Sequence, residues 1–226
     1  MKNLKILSPE ILDKYGIGIT PTLAIVGNGG VSLEDEENIM TADCVIRFNN
    51  YASRENITKT KDRLKCDILF STFDLHSQGS NPRDVVVGIP YPFKAKDVQR
   101  KQELWYPKAQ KWMVNPYENM DLCDELGLNS VGYHHPLPSL GLTALYHLNK
   151  MNCNMFVCGF AWYYDEQRGL FQKHHLKNKN YPSVWNHNYC KELIWILDNL
   201  YGKPNVSFSK SCTRLLSIAR SQLNER

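Results

Sequence analysis

Short runs of aliphatic and β-branched residues alternate along this chain with longer segments whose apolar residues recur at helical spacing. The short runs have the length and composition of buried strands. They predict strands at 23–26, 44–48, 67–70, 85–89, 111–114, 155–158 and 206–208. The longer segments predict helices at 33–40, 94–105, 120–126, 140–151, 187–200 and 212–223. This alternation favours a Rossmann-like α/β domain with a mostly parallel sheet and helices on both faces.

The composition is that of an ordinary globular domain. The chain has 226 residues, 42% of them hydrophobic and 22% charged, which is enough for one domain with a full core. We therefore treat residues 1–226 as a single domain, with 1–21 as an N-terminal flank. The net charge of +4 comes from scattered lysines. That pattern disfavours nucleic acid as a partner and suits a basic pocket for an anionic ligand.

The cysteines and the N-terminus indicate where the protein works. The seven cysteines include no Cys-x-x-Cys pair, which disfavours a structural zinc site. Cys44 and Cys158 stand in apolar runs, as small buried thiols do. The N-terminus has no apolar stretch long enough for a signal peptide, and no segment approaches the roughly 20 apolar residues of a membrane span. We expect a cytoplasmic protein with reduced thiols.

Two segments lack a clear helical or strand period. One is the proline-flanked segment 91–93, and the other is 161–185, which is rich in aromatic residues, histidine and lysine. Loops that follow the C-terminal end of a strand are where open α/β sheets bind ligands. We therefore predict that 161–185 forms a lid over the functional site.

Two glycine-bearing segments carry the clearest chemical information. The first is LAIVGNGG at 23–30, followed by VIRFNN at 45–50, and the second is PSLGLTAL at 138–145, leading into MFVCGF at 155–160. Each places a glycine-bearing turn against an apolar strand and a helix, which brings backbone N–H groups close to a phosphate. Together the segments predict a nucleotide-sugar site.

These segments resemble the motifs of the sialyltransferase family. Residues 27–30 with 45–49 resemble the large sialyl motif, and residues 138–142 with 159–160 resemble the small one. The segment HNYCKE at 187–192 resembles the very small sialyl motif. The last has a histidine and a glutamate separated by four residues, and the motifs occur in the family's order. Bacterial sialyltransferases are similar too, with a Gly-Asn-Gly turn, an Arg-x-Asn after the second strand and a late histidine.

The resemblance implies a variant GT-A fold and an inverting transfer of sialic acid from CMP-sialic acid to a hydroxyl of a glycan or glycolipid acceptor. It implies no cofactor and no metal, because a CMP-sugar has a single phosphate. The acidic run at 34–37 is not an Asp-x-Asp motif and fits carboxylates at a helix N-terminus. We expect no transmembrane segment, and peripheral membrane association of an enzyme acting on a lipid-linked glycan.

The resemblance also assigns roles to individual residues. His187 is the candidate general base, since a helix N-terminus disfavours the imidazolium form. His174 and Tyr164 lead the candidates for donating a hydrogen bond to the leaving phosphate, with Tyr163 and His175 as alternatives. The residues expected to contact the donor are Gly27, Asn28, Gly29, Asn49, Ser139, Leu140, Gly141, Gly159, Phe160, Tyr163 and Glu192.

Each candidate also has a purely structural interpretation. Asn28 would be a turn residue with positive φ, and Asn49 a residue at a strand end. Ser139 would be a helix N-cap, a role compatible with ligand binding at the same helix end. Glu192 would be a solvated helix residue, or would orient a loop near the nucleotide. Arg47 fits a brace for the sheet.

The chain departs from the family at two places. Animal members pair a cysteine that begins the large motif with one in the small motif, and here Leu23 and approximately Asn152 stand instead, in agreement with a cytosolic setting. The third motif, a histidine followed by aromatics, corresponds either to 173–176 or to 162–165.

Other functions remain as alternatives. CMP-Kdo is a rival donor, because it is also a keto-sugar with a carboxylate. A non-catalytic nucleotide-sugar binder would keep the site without the chemistry. A dinucleotide-dependent oxidoreductase is disfavoured, because Asn49 and Asn50 end the second strand where an acidic residue would bind the ribose.

Overall fold

A computed structural model gives the fold of the chain. It describes residues 2–4, 20–49, 65–71, 84–87, 110–114, 116–128, 138–151, 153–162, 164–171 and 187–224. The predicted helix at 94–105, the segment 91–93 and the lid residues 172–185 lie outside the described residues.

Parallel strands form the centre of the fold, as the alternating pattern predicts. In the described part of the chain the main sheet has eight strands, and every neighbouring pair is parallel. The strands are β1 (Lys2–Leu4), β2 (Thr22–Val26), β3 (Cys44–Phe48), β4 (Ile68–Ser71), β5 (Asp84–Val87), β6 (Gln110–Val114), β7 (Asn154–Cys158) and β10 (Val206–Phe208).

Helices lie between these strands, close to the predicted positions. They are α1 (Leu33–Thr41), α2 (Pro116–Glu125), α3 (Leu140–Asn149), α4 (Tyr189–Asn199) and α5 (Lys210–Asn224). Helix α4 begins two residues later than predicted, because the side chain of Asn188 accepts a 3.2 Å hydrogen bond from the Lys191 N–H and so caps the helix. His187 therefore precedes the helix.

The acidic run lies at a helix start, as expected. Asp35 accepts a 2.9 Å hydrogen bond from the Ser32 N–H, and Ser32 Oγ accepts one of 3.2 Å from the Asp35 N–H. This reciprocal capping box satisfies two backbone donors and sets the beginning of α1. The carboxylates of Glu34 and Glu36 also occupy the first turn, where the helix dipole favours negative charge.

The strand order creates a switch point between β2 and β7, which are the sixth and seventh of the eight described strands. Strands are arranged β1-β6-β5-β4-β3-β2-β7-β10, so the chain steps in one direction from β2 to β6 and then returns to place β7 on the other side of β2. Open α/β sheets bind ligands in the crevice at the carboxyl ends of the strands flanking such a reversal. The turns that follow β2 and β7 meet at this position.

Both faces of the sheet are covered. Leu23 and Ile25 of β2 belong to a large apolar cluster with residues of α2, α3, α4 and α5. Ala24 and Val26 point to the other face, where Ile39 of α1 packs. The predicted helices on both faces are thus confirmed. All seven cysteines carry free thiols, and six of them, including Cys44 and Cys158, are buried.

Three strands were not predicted. Residues 2–4, expected in the N-terminal flank, form β1 and pair with β6 at the edge of the sheet. Within the segment expected to be irregular, β8 (Tyr164–Asp165) and β9 (Leu170–Phe171) form a short antiparallel hairpin. The hairpin is attached to α5, because Gln222 Nε2 donates a 2.6 Å hydrogen bond to the Gly169 carbonyl and Arg214 pairs with Glu166.

Candidate functional site

The turns after β2 and β7 are in direct backbone contact. The Gly27 N–H donates to the Cys158 carbonyl at 2.8 Å, and the Gly29 N–H donates to the Gly159 carbonyl at 2.6 Å. These two N–H groups, which the sequence suggested for a phosphate, are engaged with carbonyls of the neighbouring turn. The segment 27–30, called here the glycine turn, is thereby held at the switch point.

The glycines are required by this contact. A Cβ atom on Gly27 would lie 2.4 Å from the Gly159 carbonyl oxygen, and one on Gly29 would lie 2.7 Å from it. Gly159 has a φ of +69°, and a Cβ there would lie 2.8 Å from the Gly27 carbonyl oxygen. Only residues without a side chain allow the two turns to approach this closely.

Asn28 and Asn49 lie at the ends of adjacent strands. Asn28 Nδ2 donates a 3.2 Å hydrogen bond to the Phe48 carbonyl, which ties the glycine turn to the end of β3. Asn49, and not Asn28, has a positive φ, with a value of 49°. The Asn49 N–H donates a hydrogen bond to the Phe70 carbonyl at 2.8 Å. Both asparagines are half-buried at the carboxyl edge of the sheet.

Arg47 lies within β3, and its contacts agree with the interpretation that it braces the sheet. Its side chain is only 4% exposed, and its Nε donates a 2.8 Å hydrogen bond to the Lys65 carbonyl just before β4. A buried guanidinium that bonds the backbone of the next segment braces the sheet.

One side chain joins the two segments that resemble the small and very small motifs. Glu192 Oε1 accepts a 2.7 Å hydrogen bond from the Ser139 N–H, and Oε2 accepts one of 2.6 Å from Ser139 Oγ. Ser139 Oγ also accepts a 3.1 Å hydrogen bond from the Leu142 N–H and so caps α3. Glu192 is 1% exposed, which excludes the solvated interpretation and leaves the one in which it orients a loop.

Burial perturbs this carboxyl group. Desolvation raises the pKa of Glu192 to about 7 from its ordinary value of 4.5, although the two hydrogen bonds from Ser139 act in the opposite direction. The side chain stands in the first turn of α4 and against the first turn of α3. It therefore holds two helix N-termini together at the edge where the candidate site lies.

His187 stands beside this junction. It is half-buried and lies one residue before the Asn188 cap of α4, with its ring 5.7 Å from the Tyr189 ring in an edge-on arrangement. The sequence predicted this position just before a helix N-terminus, and its role as a base stays a prediction.

A second pair of helix N-termini meets at the same edge. Lys210 in the first turn of α5 pairs with Glu34 in the first turn of α1, with 2.7 Å between Nζ and Oε2. Both side chains are exposed, so the pair contributes little to stability. Four helices thus begin near the carboxyl edge of the sheet, and their N-termini favour an anionic ligand.

Phe160 lies between the glycine turn, the end of β3 and the first turn of α3. Its ring packs edge-on against Phe48 with centroids 5.9 Å apart, and stacks on Trp162 at 5.7 Å. It also contacts α3, because a Cβ on Gly141 would lie 2.5 Å from Phe160 Cε1. The sequence predicted that Phe160 contacts the CMP-sugar donor, and it did not indicate these aromatic contacts.

The remaining candidates are Leu140 and the residues of the segment predicted as a lid. Tyr164 is half-buried, and its ring packs on Phe171 across the hairpin with centroids 4.9 Å apart. Its N–H donates to the Ala161 carbonyl at 2.9 Å. Tyr163, His174 and His175 lie outside the described residues. Leu140 is half-buried as the first residue of α3.

Among the residues that the structure describes, no group of three or more His, Cys, Asp or Glu side chains is placed to hold a metal ion. No helix in the described part of the chain is long and apolar enough to span a bilayer.

Comparison with known proteins finds similarity at the level of structure. No family model matches the sequence, and a search of curated proteins finds no match. A crystal structure of a mammalian sialyltransferase aligns with a TM-score of 0.52 and 16% identity, over 84% of this chain and 69% of that one. Another, of a mammalian sialyltransferase in complex with Gal-beta-1-3GalNAc-ortho-nitrophenol, aligns with a TM-score of 0.51 and 17% identity, over 84% and 70%.

The chain therefore has a sialyltransferase-like fold. The mostly parallel sheet with helices on both faces corresponds to the variant GT-A type that the resemblance predicted. At this level of identity the similarity establishes the fold, and the activity has to be argued from the site.

Proposed function

We propose that this chain is a metal-independent, inverting glycosyltransferase that transfers sialic acid from CMP-sialic acid to a hydroxyl of a glycan acceptor. The sialyltransferase-like fold supports the proposal. The observation that carries it is the contact between Glu192 and Ser139, which are 53 residues apart. This contact joins the segment that resembles the small motif to the one that resembles the very small motif, and the Gly29–Gly159 contact adds the large motif at the same edge.

The donor would occupy the crevice between the glycine turn and the N-terminus of α3. A CMP-sugar carries a phosphate and a sugar carboxylate, and both are stabilised near helix N-termini. Asn28 and Asn49 at this edge have amide groups that donate to and accept from ribose or sugar hydroxyls. The neighbouring backbone of Leu140 and Gly141 supplies first-turn N–H groups of α3.

His187 would act as the general base. In the proposed reaction the acceptor hydroxyl attacks the anomeric carbon from the face opposite CMP, and its proton passes to the imidazole. The bond between the anomeric carbon and the phosphate oxygen breaks, and CMP leaves with the electron pair. The configuration at the anomeric carbon is therefore inverted, through an oxocarbenium-like transition state.

Stabilisation of the departing phosphate is the second task of the protein. Tyr164 and His174 are the proposed donors to its oxygens, and hydrogen bonds aimed at developing negative charge lower the barrier. The hairpin that carries Tyr164 is attached to α5 through Gln222 and Arg214, so this side chain belongs to a folded element.

The His187→Ala variant tests the assignment of the base. We expect the purified variant to bind CMP with unchanged affinity and to lose at least about 100-fold in transfer rate, the range of general base catalysis. Calorimetric titration of CMP is the control for an intact site. Turnover near that of the wild type would end the assignment of His187.

The donor is tested by comparing CMP-sialic acid with CMP-Kdo under the same conditions. Gal-beta-1-3GalNAc-ortho-nitrophenol, the compound in complex with the structural neighbour, is the first acceptor to use. Released CMP and the glycan product are measured with and without EDTA. Transfer only from CMP-Kdo would replace sialic acid as the donor, and loss of activity in EDTA would contradict a metal-independent reaction.

A further inference from the structure

We infer that Phe160, backed by Trp162, is a spacer that sets the distance between the glycine turn and the N-terminus of α3, and thereby the affinity for the donor. The inference rests on the proposed function. It assigns Phe160 and Gly141 a positioning role in place of the direct donor contact expected from the sequence.

The Phe160 ring contacts three segments that converge on the site. A Cβ on Gly27 would lie 3.1 Å from Phe160 Cδ2, which places the ring against the glycine turn. The Phe48 ring at the end of β3 packs edge-on against it. On the third side, a Cβ on Gly141 would lie 2.5 Å from Cε1, so the ring touches the first turn of α3 directly.

The ring has little freedom to move away from α3. Trp162 stacks on it with an interplanar angle of 23° and is only 6% exposed. The backbone of Trp162 has a φ of 42°, a conformation that a bulky residue adopts only where surrounding packing compensates the strain. The Phe160 carbonyl also accepts a 3.6 Å hydrogen bond from Cys212 Sγ, which holds the backbone against α5.

These contacts have a consequence for the donor site. Gly141 contacts the Phe160 ring and lies in the first turn of α3, next to the Ser139 cap and the first N–H groups of the helix. A displacement of Gly141 therefore moves these groups as well. A side chain added at Gly141 would push α3 away from the glycine turn, because the ring is backed by Trp162. A misplacement of about 1 Å can reduce a catalysed rate by roughly 100-fold. The same misalignment weakens hydrogen bonds from the α3 N–H groups to a bound anion.

The test is a rescue experiment with CMP as the probe. Calorimetric titration is performed on the wild type, Gly141→Ala, Phe160→Leu and the double variant, at a temperature well below the unfolding midpoint of each. We expect Gly141→Ala to bind CMP at least about tenfold more weakly than the wild type. The double variant should recover to within roughly threefold of Phe160→Leu, because leucine leaves room for the added methyl group.

Stability measurements separate this effect from misfolding. Alanine has a higher helix propensity than glycine, so the double variant should unfold at a temperature no lower than that of Phe160→Leu. Ser217→Ala, on the exposed side of α5, serves as a folded control. Equal affinity of folded Gly141→Ala and the wild type, or no rescue in the double variant, would overturn the inference. Absence of CMP binding by the wild type would overturn the proposed function and this inference with it.

Discussion

Glu192 and Ser139 form a two-point contact in which both carboxyl oxygens accept hydrogen bonds from one residue, at 2.7 and 2.6 Å. Ser139 at the same time caps α3. A buried acidic side chain in the first turn of one helix thus holds the first turn of another. Because the contact connects two sequence segments that resemble family motifs, its strength and its pH dependence can be tested without knowing the acceptor.

The Ser139→Ala substitution should destabilise the fold more than loss of an ordinary cap. It removes the cap of α3 and one partner of the buried carboxyl group, for an expected loss of about 2–3 kcal/mol in the free energy of unfolding. Ser32→Ala is the matched control, because Ser32 caps α1 without contacting Glu192, and should cost about 1 kcal/mol. Equal losses in urea unfolding would contradict a special contribution from Glu192.

The Glu192→Gln substitution should change the pH dependence of stability. The pKa of Glu192 in the fold is about 7, above its ordinary value of 4.5, so its stabilising contribution is complete below pH 4.5 and is lost as the pH rises through 7. Glutamine does not titrate. The unfolding free energy of the variant minus that of the wild type should therefore rise between pH 4.5 and pH 7, by at most about 3 kcal/mol.

Chemical denaturation between pH 4.5 and pH 7 measures the difference in unfolding free energy between the variant and the wild type. Carbon NMR of the Glu192 carboxyl group gives the midpoint of its titration directly. A difference that stays constant with pH, together with a midpoint near 4.5, would show that the carboxyl group is solvated in solution.

His147 should produce the opposite trend. Burial on α3, reinforced by the positive charge of Lys150, lowers the pKa of His147 to about 4 from its ordinary value of 6.5. The contribution of the neutral imidazole is present above pH 6.5 and is lost as the pH falls through 4. As the pH falls from 6.5 to 4, the free energy of unfolding should therefore decrease less for His147→Gln than for the wild type. Parallel unfolding curves over this range would refute the prediction.

The contact between the two turns predicts an unequal response of two glycines. Gly159 and Gly202 both have positive φ. A Cβ on Gly159 would lie 2.8 Å from the Gly27 carbonyl oxygen, whereas a Cβ on Gly202 would have no atom within 4 Å. Gly202→Ala should cost about 1–2 kcal/mol from backbone strain alone. Gly159→Ala should cost at least about 2 kcal/mol more, because backbone atoms must separate. Similar unfolding midpoints for the two variants would count against the close approach of the turns.

Much of the sheet could be predicted from the sequence, because its inner strands are continuous apolar runs. Strand β3 has the predicted bounds, and β2 and β7 each begin one residue earlier than predicted. Both faces of these strands are buried, so aliphatic residues occupy successive positions. Helix bounds were less accurate, because α4 begins where the Asn188 side chain caps it, and apolar spacing does not contain that information.

Short elements and tertiary contacts could not be predicted in the same way. Strand β1 has three residues, and each strand of the β8–β9 hairpin has two, too few to show a period. The contact of Glu192 with Ser139 depends on where two helices meet in space. Trp162, which stacks on Phe160, has a left-handed backbone, and sequence does not reveal that conformation for an aromatic residue.

The proposed function requires that the site bind a cytidine nucleotide. The most direct measurement is thermal unfolding with CMP, CMP-sialic acid, CMP-Kdo, UDP or NAD at millimolar concentration. A ligand at 100 times its Kd adds roughly 2.7 kcal/mol, which raises the Tm of a domain of this size by several degrees. We expect such a rise with the cytidine nucleotides alone. No shift with CMP, or a larger shift with NAD, would contradict it.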